Sequence, residues 1–168
     1  PVEMKTRKGV KVFDRDEHFR GDLDAEGMAK LRPVFKKDGT VTAGNASGLN
    51  DAASALVLAT ADAAEARGLK PIARLIGYSH AGCEPEYMGI GPVPAVKKLL
   101  AQTGLTIADF DTFEVNETFA AQAIAVCRDL GLPDDKTNPN GSGISLGHPI
   151  GATGAVITTK AIHELHRT

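Results

Sequence analysis

Two residues of this sequence have the type and setting to stabilise a negative charge: His148 and Asn116. His148 lies in the glycine-rich run 141–154, GSGISLGHPIGATG. Glycines let a backbone turn sharply and approach a ligand closely. Pro149 follows the histidine and is predicted at the first position of a helix, where its missing N–H costs nothing. A histidine in a glycine loop at a helix start is a candidate donor to charge that develops during a reaction. Asn116 lies in Glu114-Val115-Asn116-Glu117-Thr118-Phe119-Ala120, where a predicted strand gives way to a predicted helix. Ligands of open α/β sheets bind outside the carboxyl ends of strands, so this is a favoured place. An amide and an imidazole converging on one oxygen would form an oxyanion hole, in which one donor is worth ~2.7–4 kcal/mol of transition-state stabilisation. The positive end of a helix disfavours imidazolium, so a neutral imidazole would be the donor. Plainer readings stand beside these. Asn116 would serve as a simple N-cap, Glu117 would complement a helix dipole, and His148 would bond to loop backbone.

The elements that must position these residues alternate. Val10-Lys11-Val12-Phe13 has strand-like alternation within a charge-dense opening segment. Asp38-Gly39 marks a turn, and 40–51 is a glycine-punctuated loop. The apolar run 52–59 predicts a buried strand, and 61–67 a short helix ended by Gly68. Segments 72–79 and 110–115 read as strands. Segments 93–103, 117–130 and 151–165 read as helices, the first two capped by Gly104 and Gly131. Alternating β and α units imply a layered α/β fold.

Composition narrows the class. The chain has 168 residues, 42% apolar and 24% charged, with a net charge of −2, enough for one sizeable core of an ordinary globular kind. That charge favours neither nucleic acid nor an acidic membrane as partner. No run approaches ~20 apolar residues, and the start has neither signal-peptide character nor an initiator Met. Cys83 and Cys127 make no disulfide framework, which points to a reducing, cytoplasmic setting. No metal-ligand spacing is present. His163 and His166 share a helix face but are too few for a metal, and His18 is expected to be exposed.

Four stretches together resemble the thiolase family. Asn116-Glu117-Thr118-Phe119-Ala120 is similar to the NEAFA signature, with Thr118 in place of Ala. Residues 147–154 match the GHPxGxxG box, residues 44–51 the GNASGxxD stretch, and Met88-Gly89-Ile90-Gly91-Pro92 the MGxGP stretch. The resemblance runs through essentially the whole chain, nearest to bacterial β-ketothiolases of the acetyl-CoA acetyltransferase kind. It implies a layered α-β-α-β-α fold in which 1–30 is the tail of a loop insertion used in tetramer contacts. Residues 31–70 would end the first thiolase half, and 71–168 would form the second half without its last strands. It implies Claisen condensation of two acetyl-CoA to acetoacetyl-CoA, or thiolysis of 3-ketoacyl-CoA, with the coenzyme A thioester as substrate and no further cofactor. His148, and a water held by Asn116, would polarise the thioester oxygen. Ser47, Met88 and Phe119 would flank the pantetheine arm. Leu31, Phe35 and Ala43 would line the same tunnel, and Arg20 would meet the phosphates or adenine of CoA. Taken without the resemblance, the apolar residues among these read as ordinary core, and Arg20 as a solvated charge.

The same resemblance exposes a departure. A thiolase uses a nucleophilic cysteine from its first half and an acid/base cysteine in a CxGGG-type segment. Neither Cys83 nor Cys127 has that context, and Cys127 reads as a small buried hydrophobe. The chain is therefore expected to be a C-terminal piece of a thiolase. Alone it should be inactive and at most a weak CoA binder, pairing with the remainder of the enzyme or with copies of itself. A non-enzymatic CoA-thioester or lipid-binding module, or a subunit completing a site with another chain, are the competing expectations.

Overall fold

The computed structural model describes residues 1–168 as two compact units, Pro1–Leu31 and Arg32–Thr168. The first begins with a hairpin of β1 (Val2–Thr6) and β2 (Gly9–Phe13), antiparallel, with Val2 opposite Phe13 and Thr6 opposite Gly9. Gly9 at φ +117° and the Thr6 hydroxyl, which donates to the Gly9 carbonyl at 2.8 Å, close the turn. The one-turn helix α1 (Ala25–Ala29) follows, capped by the Asp24 carboxylate, which accepts from the Gly27 amide at 2.6 Å. Nearly every side chain of the hairpin is exposed.

The second unit is built on helices. These are α2 (Ala61–Ala66), α3 (Pro92–Thr103), α4 (Ala120–Leu130), α5 (Gly143–Leu146) and α6 (Thr153–Arg167). The short 3₁₀ turns are Pro85–Ile90, Ile107–Asp109 and Asp134–Lys136. Helix ends follow the sequence signals. Thr60 caps α2, prolines open α3, and Gly104 and Gly131 close α3 and α4 in the left-handed conformation. Val93 of α3, Ala123 and Val126 of α4, and Leu132 form the buried apolar centre. The turn Pro85–Ile90 packs against α4 so closely that a Cβ on Gly89 would sit 2.8 Å from Gln122 Cγ.

The predicted strands come out differently from the predicted helices. Segments 52–59 and 72–79 have no ladder partners, and 52–59 is exposed rather than buried: Val57 is 94% and Leu58 74% accessible. A strand is a paired state, and this chain brings no neighbouring strand alongside either segment. Segment 72–79 instead runs against α3. Ser79 Oγ donates to the Ala95 carbonyl at 3.0 Å, and Gly77 faces Leu99 and Thr103. Segment 110–115 keeps one parallel bridge, Phe113 to Thr137.

Two helix starts also shift. The predicted 117–130 helix begins at Ala120, because Asn45–Ser47 and Thr118–Ala120 pair as extended backbone. The Ser47 amide donates to Thr118 O and the Ala120 amide to Asn45 O, both at 2.9 Å. Asn116 is thus four residues ahead of the helix and is not its N-cap. The last helix begins at Thr153, two residues after the expected start at 151, and Pro149 lies outside it. The Pro149 carbonyl is occupied by the Ala152 and Thr153 amides, so His148 lies in bridged backbone ahead of the helix.

Candidate active site

His148 is fixed first through its backbone. Its amide donates to the Gly48 carbonyl at 3.1 Å and to Asn50 Oδ1 at 3.2 Å, and Leu49 and His148 form a parallel bridge. The preceding glycine is required by this contact. Gly147 has φ 104° and ψ 160°, a region essentially confined to glycine, and a Cβ there would lie 2.5 Å from Asn50 Oδ1. Segment 45–50 is therefore a keystone. It pairs with 118–120 through Asn45 and Ser47, and with His148 through Gly48 and Asn50.

Asn116 reaches the same place from the other side. The Ser142 hydroxyl donates to the Val115 carbonyl at 2.8 Å. A Cβ on Gly143 would stand 2.8 Å from the Glu117 carbonyl and 3.0 Å from Asn116 Oδ1. The glycine-rich run can therefore lie flat on 115–117 only with no side chain at that position. Asn138, the one non-glycine residue with positive φ (50°), completes the clamp. Its Oδ1 accepts from the Val115 amide at 2.7 Å, and its Nδ2 donates to the Val115 carbonyl at 2.9 Å and to Glu117 Oε1 at 3.1 Å. One side-chain amide thus stands in for a neighbouring strand.

The two candidate donors meet. Asn116 Nδ2 lies 3.5 Å from His148 Nδ1 and 3.4 Å from Nε2. An atom equally far from both nitrogens and in the ring plane would overlap Cε1, so the amide lies over the ring face. Both nitrogen σ-sites, which lie in the ring plane, are left for other partners. Asn116 Nδ2 also donates to Thr118 Oγ1 at 3.1 Å, while Asn116 Oδ1 is buried without a partner. The ring's Nδ1 is 2.8 Å from Thr153 Oγ1, a buried hydroxyl.

The hollows beside these residues differ. His148 lines an open cleft of ≈ 550 Å³ with Leu49, Asn50 and the 150–152 turn. Asn116 borders a small cavity of ≈ 20 Å³ with Ser142, Gly143 and Thr153, room for about one water. Phe35 packs edge-on to Phe119 with ring centroids 5.7 Å apart. Ser47 is half-buried in the keystone, Ala43 lies exposed in the turn before it, and Met88 is 77% exposed in the turn Pro85–Ile90. None of these five lines either hollow. Arg20 and Leu31 belong to the first unit and are exposed there.

The cysteines are separate features. Burial pushes the Cys127 thiol above its ordinary range, and the Asp134 and Glu117 charges push it further, which suits an inert thiol rather than a nucleophile. Cys83 is exposed. Three residues that matter here were not singled out from sequence: Asn50, Asn138 and Thr153. The Asn138-Pro139 pair is a turn signal. The five-residue offset from His148 to Thr153 at a helix start could have drawn attention to that hydroxyl.

This chain path is a known α/β architecture. It superposes on an acetyl-CoA acetyltransferase of Bacillus anthracis with a TM-score of 0.90 and 53% identity, covering 99% of this chain and 42% of that one. A human mitochondrial 3-ketoacyl-CoA thiolase in complex with CoA gives a TM-score of 0.82 at 44% identity, covering 98% and 41%. The family description "Thiolase, C-terminal domain" matches residues 69–168, and "Thiolase, N-terminal domain" matches residues 1–62. The chain belongs to the thiolase family. The β-ketothiolase BktB of Cupriavidus necator is 64% identical over 168 residues, 99% of this chain and 43% of that protein. The mitochondrial 3-ketoacyl-CoA thiolase of Homo sapiens is 52% identical over 167 residues, 99% and 42%. The chain thus spans about two fifths of the length of the relatives it matches.

Proposed function

We propose that this chain carries the thioester-oxygen donors of a thiolase that condenses two acetyl-CoA molecules or cleaves 3-ketoacyl-CoA. The observation that carries the reading is His148, backed by Asn116 and Thr153 and bordering an open cleft of ≈ 550 Å³. Loss of an α-proton from acetyl-CoA puts negative charge on the thioester oxygen. A fixed imidazole N–H stabilises that charge without reorganising. A water donating to Asn116 Oδ1, which is buried without a partner, would keep its second proton for the same thioester oxygen. The enolate carbon then attacks an acetyl group held as a cysteine thioester, and the cysteine thiolate leaves. That cysteine, and the one that accepts the α-proton, would come from the rest of a longer protein.

The CoA thioester enters as substrate, with no separate cofactor. Arg20 would meet its phosphates, and Leu31, Phe35, Ala43, Ser47, Met88 and Phe119 would flank its arm. A cytoplasmic homo-oligomer is the setting proposed; no helix here is long and apolar enough to cross a membrane. The test uses the full-length protein containing this segment. H148A should lower kcat for acetoacetyl-CoA thiolysis by about 10²–10³ with KM little changed, and N116A should act in the same direction. Wild-type turnover in H148A would sink the reading.

A further inference from the structure

Resting on the donor role proposed for His148, we propose that Thr153 is a positioning residue that sets which ring nitrogen of His148 carries the proton. The proton inventory leads there. The Pro149 carbonyl has two lone pairs, and the Ala152 amide at 2.7 Å and the Thr153 amide at 2.8 Å occupy them. Thr153 Oγ1 lies 2.9 Å from that same carbonyl and 2.8 Å from His148 Nδ1. Its single hydroxyl proton serves only one of the two.

If the proton goes to the carbonyl, Oγ1 can only accept from an Nδ1–H. A neutral ring then presents a lone pair at Nε2, which repels a developing oxyanion. If it goes to Nδ1, Nε2 carries the hydrogen and becomes the donor the reaction needs. The carbonyl is already filled by two amides, so it loses little in the second arrangement. Nδ1 has no alternative protein donor in its plane, because the Asn116 amide lies over the ring face. Thr153 is buried, and its place in the first turn of α6 fixes the direction of the hydroxyl.

The experiment pairs two substitutions with one spectrum in the full-length protein. Thr153→Val keeps the shape and removes the hydroxyl; Thr153→Ser keeps the hydroxyl. T153V should lower kcat by about 10–100-fold, the size typical for groups that orient a functional imidazole, with KM within a few-fold of wild type. T153S should recover most of the loss. In ¹⁵N-histidine spectra, wild-type His148 should carry its proton on Nε2, and T153V should lose that preference. A wild-type proton on Nδ1 overturns the proposal even if no variant folds well, and so does T153V turning over like wild type. Either result with H148A still impaired would overturn only the role of Thr153. An unimpaired H148A would overturn the donor reading beneath it.

Discussion

At the scale of single residues, the site depends on atoms that are missing as much as on atoms that are present. Gly147 and Gly143 each occupy a place where a Cβ would collide, with Asn50 Oδ1 in one case and the Glu117 carbonyl in the other. Gly147→Ala should destabilise the full-length protein by about 1–3 kcal/mol, from its backbone region before the collision is counted. Denaturant melts would show it, and an unchanged midpoint would contradict it. The sequence put His148 and Asn116 each at a junction with a predicted helix and paired them as an expectation, and the structure brings the two side chains together. The reading of Asn116 as a helix cap failed for a reason that lies outside its segment. Asn45–Ser47 claims the backbone of Thr118–Ala120 and delays the helix. Thr153 escaped notice because its contact with the His148 ring depends on where the helix starts, which the sequence put two residues too early.

At the scale of elements, α6 is the brace behind the glycine-rich run. Its Thr153 faces the imidazole. Its Lys160 reaches the Glu114 carboxylate at 2.8 Å and the Gly141 carbonyl, the pair being only 19% and 4% exposed. Its Glu164 accepts from Asn140 Nδ2 at 2.8 Å and from Arg167 at 2.5 and 2.9 Å. The Arg167 hydrogen bonds, followed by the Asn140 bond, hold the Glu164 carboxyl below its ordinary range. A carboxyl with a lower pKa folded than unfolded adds stability at neutral pH. That stability is lost as pH falls through the folded value. Glu164→Gln should therefore flatten the acid limb of a stability–pH curve measured by urea unfolding from neutrality downward; an unaltered limb would refute the linkage. Helix positions were legible from periodicity and glycine caps. The clamp by Asn138 was not, since one amide replacing a strand neighbour leaves no periodic trace.

At the scale of the whole molecule, the strand-like segments stand without partners. Val57, Leu58, Leu75, Ile76 and Tyr78 are each more than half exposed, in stretches whose composition suits burial on two faces. The apolar runs 52–59 and 72–79 read as strands in the sequence, and neither is a strand in this structure. Their pairing was not legible, because a ladder is a property of two segments and this chain covers about two fifths of its relatives' length. The 168-residue chain on its own should enhance the fluorescence of a hydrophobic dye and elute as self-associated species. The full-length protein should be dye-silent and elute as one discrete homo-oligomer. A monodisperse, dye-silent 168-residue chain would contradict this.

The bond from the His148 amide to Asn50 joins positions 98 apart in the chain. Closing so long a loop is an entropic cost met once, by the whole intervening segment, and contacts of such separation govern how fast a chain finds its fold. Helices α3, α4 and α6 are local and can form early, but the imidazole has no fixed direction until the keystone loop has closed over it. The structure therefore predicts that the scaffold forms before the site, with His148 among the last groups to be set in place.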